Sequence, residues 1–364
     1  MRNLGISVYP GHASLDENLR YIELAGKYGF TRIFTCLLSV KGDKEKIVSD
    51  FKNTIKFADS KGMKVIADVN PGVFKEFGIS YNDLSFFKDL GSAGIRLDIG
   101  FTGNEEAMMT YNPQGLFIEL NMSGGTKYID NIMSYKPNLN KLIGCHNFYP
   151  HRYTGLKYDH FIKCTKQFKD LGIRTAAFVS SKDGTFGPWA VSEGLCTLEM
   201  HRDMNIVPQV KHMFATGLID DVIIANAFAS EEELKAVSEI NRDKISLNVE
   251  LADSIPDTER KIILEEMHFN RGDVSEYMIR STQSRVKYKG HKFLPFNIKP
   301  IKRGDILMDN SLYEHYAGEL QIALKDMENS GRTNVIGKVI PEEQFLLDYI
   351  EPWQKFEFTL ADIC

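Results

Sequence analysis

Short apolar runs alternate with longer amphipathic ones through the first two thirds of the chain. "LGISVY" is followed by "SLDENLRYIELAGKYG", in which Leu15, Leu19, Ile22 and Ala25 fall on one helical stripe. Ser14 and Glu17 form a capping box there, and Gly29 marks the stop. "TRIFTCLL" then precedes "KIVSDFKNTIKFADSKG", with Ile47, Phe51, Ile55 and Ala58 at helical spacing and Gly62 as the stop. The unit recurs: "KVIADVN" before a helix near 83–90, "GIRLDIG" before a short one near 105–109, and "LFIELN" before one near 128–135. "KLIGCHNF" precedes "DHFIKCTKQFKDLG", where Phe161, Thr165, Phe168 and Leu171 share a face. "RTAAFVSS" and "DDVIIAN" complete the set, the helix after the last being capped by Ser230 and Glu233. Eight strands, each followed by a helix, within roughly 240 residues predict an α/β fold, a (β/α)8 TIM barrel, over residues 1–242. The loop after the seventh strand, 180–205, is the long one, and long barrel loops serve the site.

Beyond residue 242 the rhythm changes. "KISLNVELA", "EYMIRSTQSRV", "FLPFNI", "GDILMDN", "GELQIAL", "NVIGKVI" and "KFEFTL" are β-like runs between Pro, Gly and charged turns, with one helix expected at "EEQFLLDYI". This predicts a smaller, mostly β domain over residues 243–364.

Composition narrows the function classes. A chain of 364 residues is long enough for one large and one smaller core, and 43% hydrophobic with 26% charged residues is ordinary for a globular protein. A net charge of −5 without a basic tract gives a nucleic acid no footing. No apolar run reaches the length of a membrane span, and "MRNLGISVYPGH" has no apolar signal region, so no membrane partner is expected. Cys36, Cys145, Cys164, Cys196 and Cys364 are scattered with no CxxC pair, which suits free thiols in a reducing cytoplasm and argues against zinc. No Walker loop, GxGxxG fingerprint or HExxH motif occurs, so neither metal nor cofactor is expected.

In a parallel barrel, functional residues lie at the C-terminal ends of the strands, and residues two apart on a strand share a face. Three successive strands end in such polar pairs: Asp68 and Asn70, Arg96 and Asp98, Glu119 and Asn121. The intervening Val69, Leu97 and Leu120 are apolar, so the polar sets are expected to point into the barrel mouth. Burying an ionised carboxylate costs several kcal/mol unless it is paired, which makes such a cluster either a mutual ion-pair network or an active site. Arg96 beside Asp98 serves both readings. Two carboxyl groups in unlike environments are what glycoside hydrolysis needs. Glu119 is therefore expected as general acid and Asp98 as nucleophile or base, with Asp68 as the substitute for either. Asn70, Arg96 and Asn121 are the polar neighbours expected to contact the substrate.

The loop after the sixth strand, "CHNFYPHRYTGL", crowds His146, Asn147, Tyr149, His151 and Arg152 together, a composition suited to gripping a sugar or a phosphorylated ligand. The loop after the seventh offers Trp189, Glu193, Glu199, His201 and Arg202, some of which must begin the next helix. In the second domain Arg271, Arg280 and Arg285 are expected either as surface solubilisers or as an anion grip closing over the mouth.

Together "GISVYP", "IADVN", "IRLDIGF", "FIELNMS", "GCHNFYPHRYTGL", "LEMHR" and "NRGDVSEYMIRSTQSR" resemble the bacterial 6-phospho-N-acetylmuramidase family along essentially the whole chain, "HNFYPHRYTGL" being the most specific element. The resemblance implies an N-terminal TIM barrel with a C-terminal cyclophilin-like β domain. It also implies a cytoplasmic exo-glycosidase of peptidoglycan recycling, whose small-molecule substrate is a phosphorylated muramyl disaccharide. Such an enzyme splits N-acetylmuramic acid 6-phosphate from N-acetylglucosamine. Two rivals stand beside it. A phosphosugar isomerase or aldolase would want a Lys or metal cluster at the mouth, and no strand-end Lys is evident. A non-catalytic carbohydrate-binding or surface protein would tolerate loss of the mouth carboxylates.

Overall fold

The computed structural model describes residues 1–37, 44–184, 186–188, 191 and 193–361; Trp189 and Cys364 lie outside them. The chain divides into two compact units, residues 1–213 with 217–239, and residues 214–216 with 240–364. Among the described residues, no helix is long and apolar enough to cross a membrane.

In the first unit, eight parallel strands close into a barrel: β1 Asn3–Val8, β2 Arg32–Cys36, β3 Lys64–Val69, β4 Gly94–Leu97, β5 Phe117–Asn121, β6 Leu142–Cys145, β7 Arg174–Val179 and β8 Asp221–Ile224. The closing pair is β8 with β1. Between and after them run α1 Leu15–Lys27, α2 Lys44–Ser60, α3 Pro71–Phe77, α4 Ser85–Leu90, α5 Asn104–Met109, α6 Tyr128–Ser134, α7 Tyr158–Lys169, α8 Ile206–Ala215 and α9 Glu231–Ser238. The caps read from the sequence are formed. In α1 the Glu17 amide donates to Ser14 Oγ while Glu17 Oε2 accepts from the Ser14 amide at 3.0 Å, and Ser230 with Glu233 repeats the arrangement at α9. Gly29 and Gly62 both sit at φ +74°, where the chain reverses after its helix.

The third unit of the barrel departs from the reading. It carries two helices, and the first, α3, is started by Asn70, whose side chain accepts from the Val73 amide at 3.1 Å, with Pro71 following as the first helical residue.

The second unit is built on a seven-stranded sheet in the order β10-β15-β9-β14-β12-β13-β11. Its strands are β9 Ile245–Leu251, β10 His268–Phe269, β11 Met278–Ser281, β12 Asp305–Asp309, β13 Leu320–Ala323, β14 Thr333–Val339 and β15 Lys355–Leu360. Leu247, Ile262, Ile306, Ile322, Ile336 and Phe356 meet in its core. Three local expectations change here. "FLPFNI" forms no strand; "TQSRV" belongs to the short helix α11, Gln283–Lys287; and α10, Asp257–Glu265, packs Ile262 and Ile263 into the core. The helix expected at 342–350 is a 3-10 helix, Pro341–Tyr349.

Candidate active site

β3 and β4 bring two acids to one guanidinium. Arg96 Nη1 donates to Asp68 Oδ1 at 2.6 Å and to Asp98 Oδ1 at 3.3 Å, and its Nη2 donates to Asn147 Oδ1. Arg96 and Asp68 are almost sealed, while the Asp98 side chain is 33% exposed. The four polar groups line a cavity of about 180 Å³ with Cys36, Phe148 and Phe178. Phe34, Phe148 and Phe178 pack edge-on at 5.1 to 5.8 Å, giving one wall an apolar backing. Asp98 also lines a second cavity of about 300 Å³, with Asn121, Gly125 and Tyr128 among its neighbours. Burial pushes the Asp68 carboxyl up to about 7, against the pull of Arg96 in the opposite direction.

Glu119 does not join this group. Barrel strands are staggered, so residues aligned across successive strands step down the barrel. The register line that begins at Cys36, the last residue of β2, runs through Asp68, Arg96, Glu119 and Ile143 to Arg174, the first residue of β7. Glu119 thus sits below Asp68, where its fully buried carboxylate takes the Arg32 guanidinium. Arg32 Nη1 in turn reaches Asp221 at 2.6 Å, and Arg174 Nε reaches the same carboxylate at 3.1 Å. These partners belong to the first residues of β2, β7 and β8. Glu119 therefore pairs with this inner network rather than with the group around Arg96.

Residues 4–239 match the family model described as 6-phospho-N-acetylmuramidase, N-terminal, and residues 245–359 match its C-terminal counterpart. The chain belongs to the 6-phospho-N-acetylmuramidase family. The family is one of glycosidases, and its name implies a phosphorylated sugar as substrate. A crystal structure of an uncharacterized B. cereus protein is similar at 48% identity and a TM-score of 0.92, over 98% of this chain and 99% of that one. A conserved protein of unknown function from Enterococcus faecalis is similar at 25% identity and a TM-score of 0.72, over 99% and 97%. Among curated proteins, none matches the chain.

Within this 6-phospho-N-acetylmuramidase family member, the remaining sequence candidates separate into those near the cavities and those that hold loops. Asn147 reaches the first cavity, and Asn121 lines the second while its Nδ2 donates to the Asp98 carbonyl at 3.0 Å. Tyr149 is half-buried, and burial raises its pKa. Asn70 is spent on the α3 cap.

His146 is fully buried between Ser123 Oγ at 3.1 Å and Thr165 Oγ1 at 2.8 Å, and burial pushes its pKa down to about 3. Both ring nitrogens are thus held by hydroxyl groups of the protein. His201 is likewise buried, 2.6 Å from His212, its pKa driven well down by burial. Arg202 and Glu199 form a two-pronged pair at 2.7 Å, and Arg202 also donates to the carbonyls of Tyr149, His151 and Glu193. Glu199 accepts from the Tyr153 and Gly155 amides, and Arg202 leads the donors that hold its carboxyl down at about 2. These two residues staple the loops after β6 and β7 together. Arg152 lays its fork on Asp203 at 2.8 and 3.0 Å.

In the second unit Arg271 pairs with Asp273, whereas Arg280 and Arg285 converge on the buried Glu319. Sequence reasoning missed Cys36, Phe148 and Phe178 as cavity walls, and Arg32, Arg174 and Asp221 as the inner network. Among the described residues, no group of three or more His, Cys, Asp or Glu is arranged to hold a metal ion.

Proposed function

We propose that the protein hydrolyses the bond joining N-acetylmuramic acid 6-phosphate to N-acetylglucosamine, in cytoplasmic peptidoglycan recycling, with Asp68 as general acid and Asp98 as nucleophile. The observation that carries this reading is the pair of carboxyl groups sharing Arg96 Nη1 in unlike environments, one sealed and raised to about 7, the other open to solvent. Distances of 2.6 and 3.3 Å to one nitrogen keep the two Oδ1 atoms within about 6 Å, which suits the roughly 5 to 5.5 Å of retaining enzymes. Asp98 also lines both cavities, which suits a bond between two sugar rings.

In the proposed course, protonated Asp68 gives its proton to the glycosidic oxygen as N-acetylglucosamine leaves, and the Asp98 carboxylate attacks the anomeric carbon. Ionised Asp68 then takes a proton from the water that attacks the glycosyl–Asp98 ester, releasing N-acetylmuramic acid 6-phosphate and restoring both groups. Arg96 donates to both acids and prevents them from drifting apart. Among the described residues, Cys36, Cys145, Cys164 and Cys196 are buried and form no disulfide, which suits a reducing compartment.

Conservative replacements test the roles. Asp68→Asn should lower kcat by about 10² to 10⁴, the range of general acid catalysis, and Asp98→Asn by at least as much, with circular dichroism unchanged. Mass spectrometry of the two released sugars is the readout, and near-normal turnover in either variant removes that residue from the mechanism.

A further inference from the structure

The second unit carries a cationic, aromatic patch that the chemistry of the barrel leaves unused. The loop between β12 and β13 turns back on itself: the Tyr316 amide donates to the Tyr313 carbonyl at 2.7 Å, and Gly318 at φ +84° donates to the Asp309 carbonyl at 2.8 Å. A Cβ at Gly318 would lie 2.4 Å from the Phe293 ring, so this turn is fixed in shape. It presents Tyr313 and Tyr316 side by side, ring centroids 5.0 Å apart, each more than a third exposed. Arg280 and Arg285 lie over the Tyr316 ring at 5.9 and 5.3 Å, and Arg332 over Tyr313 at 5.4 Å.

The charges do not cancel. Arg280 donates to Glu319 Oε1 at 2.7 Å, and Arg285 Nη1 lies 3.1 Å from Glu319 Oε2, so two guanidinium groups share one fully buried carboxylate. Arg332 has no ion-pair partner among the described residues. Three guanidinium groups thus lie against two exposed rings, two of them sharing the one buried acid Glu319. Glu319 anchors the arginines from below and pre-orders them, which lowers the entropic cost of engaging an anion. Guanidinium forks fit phosphate and carboxylate oxygens, and tyrosine rings offer flat faces to the C–H side of a pyranose.

We propose that Arg280, Arg285, Arg332, Tyr313 and Tyr316 form a binding site for an acidic sugar, one bearing a phosphate or a carboxylate. The choice of sugar rests on the function proposed above; the site itself rests on this geometry.

The test is a titration of the full-length protein, carrying Asp68→Asn to suppress turnover, with N-acetylmuramic acid 6-phosphate, N-acetylmuramic acid and inorganic phosphate. Isotope-labelled tyrosine rings are followed by NMR. Signals assigned to Tyr313 and Tyr316 should shift, most with the phosphorylated sugar. Arg285→Gln should weaken that binding by roughly 10- to 100-fold, the range of a charge-assisted hydrogen bond. Tyr316→Ala, an exposed change that spares the fold, should weaken it too. Unmoved tyrosine signals, or affinity indifferent to Arg285→Gln and Tyr316→Ala, would overturn the proposal. Hydrolysis by the unsubstituted protein is scored separately, so an active enzyme without this site and an inactive one with it are distinct outcomes.

Discussion

Asp68 and Glu119 are both buried acids next to arginine, and their difference lies in what each faces. Asp68 faces the cavity that also holds Asp98, and its carboxyl, raised to about 7 mainly by burial, holds its proton until the pH approaches neutrality. An acid must be protonated to act, so kcat/KM should fall as pH rises through about 7, and a pH–rate profile should show that alkaline limb. In Asp68→Asn the limb should vanish along with most of the rate. Glu119 faces Arg32. Replacing it by Gln leaves Arg32 to share Asp221 with Arg174, so denaturant unfolding should show a loss of about 3 to 5 kcal/mol, the cost of breaking a buried pair. Turnover of the folded Glu119→Gln enzyme should stay within about tenfold of normal, well inside the loss expected for a missing acid. The negative charge of Glu119 also helps raise Asp68, so the alkaline limb should move to lower pH in this variant. "LFIELN" reveals that Glu119 shares a face with Asn121, but not how deep in the barrel that face lies. "TRIF" and "KVIA" open their strands alike, yet Arg32 is buried in the network while Lys64 is largely exposed.

Elements explain where the reading held and where it gave way. Helical stripes, capping boxes and stop glycines are local signals, and α1, α7 and α9 form where they indicate. Strand depth is not local, because it follows from the stagger of all eight pairings; polar ends of three strands therefore read as one cluster when they form a staircase. Asn70 shows the other failure. A polar residue after a strand can face the mouth or begin a helix, and "NPG", with Pro71 at the first helical position, carried the cap signal. Asn70→Ala should cost about 1 kcal/mol in denaturant unfolding, the usual loss of a helix cap, with a smaller effect on kcat than loss of Asp68. The loop after β6 follows the same logic. Its donors crowd together largely because two irregular segments must satisfy their backbone groups, and Arg202 with Glu199 does much of that binding.

At the scale of the whole molecule, a closed parallel barrel supplies a mouth at which two acids meet one arginine, and a separate sheet unit supplies a patch of arginines and tyrosines. Membership of the 6-phospho-N-acetylmuramidase family places glycoside hydrolysis on this framework. The proposed pair of carboxylates carries a stereochemical commitment, because the shared nitrogen keeps the Oδ1 atoms of Asp68 and Asp98 within about 6 Å, nearer the spacing of retaining than of inverting enzymes. The most direct test is proton NMR of the anomeric signals during hydrolysis of the phosphorylated muramyl disaccharide, read before the sugar mutarotates. The account predicts that N-acetylmuramic acid 6-phosphate appears first with the anomeric configuration of the bond it came from. First appearance of the opposite anomer would contradict it.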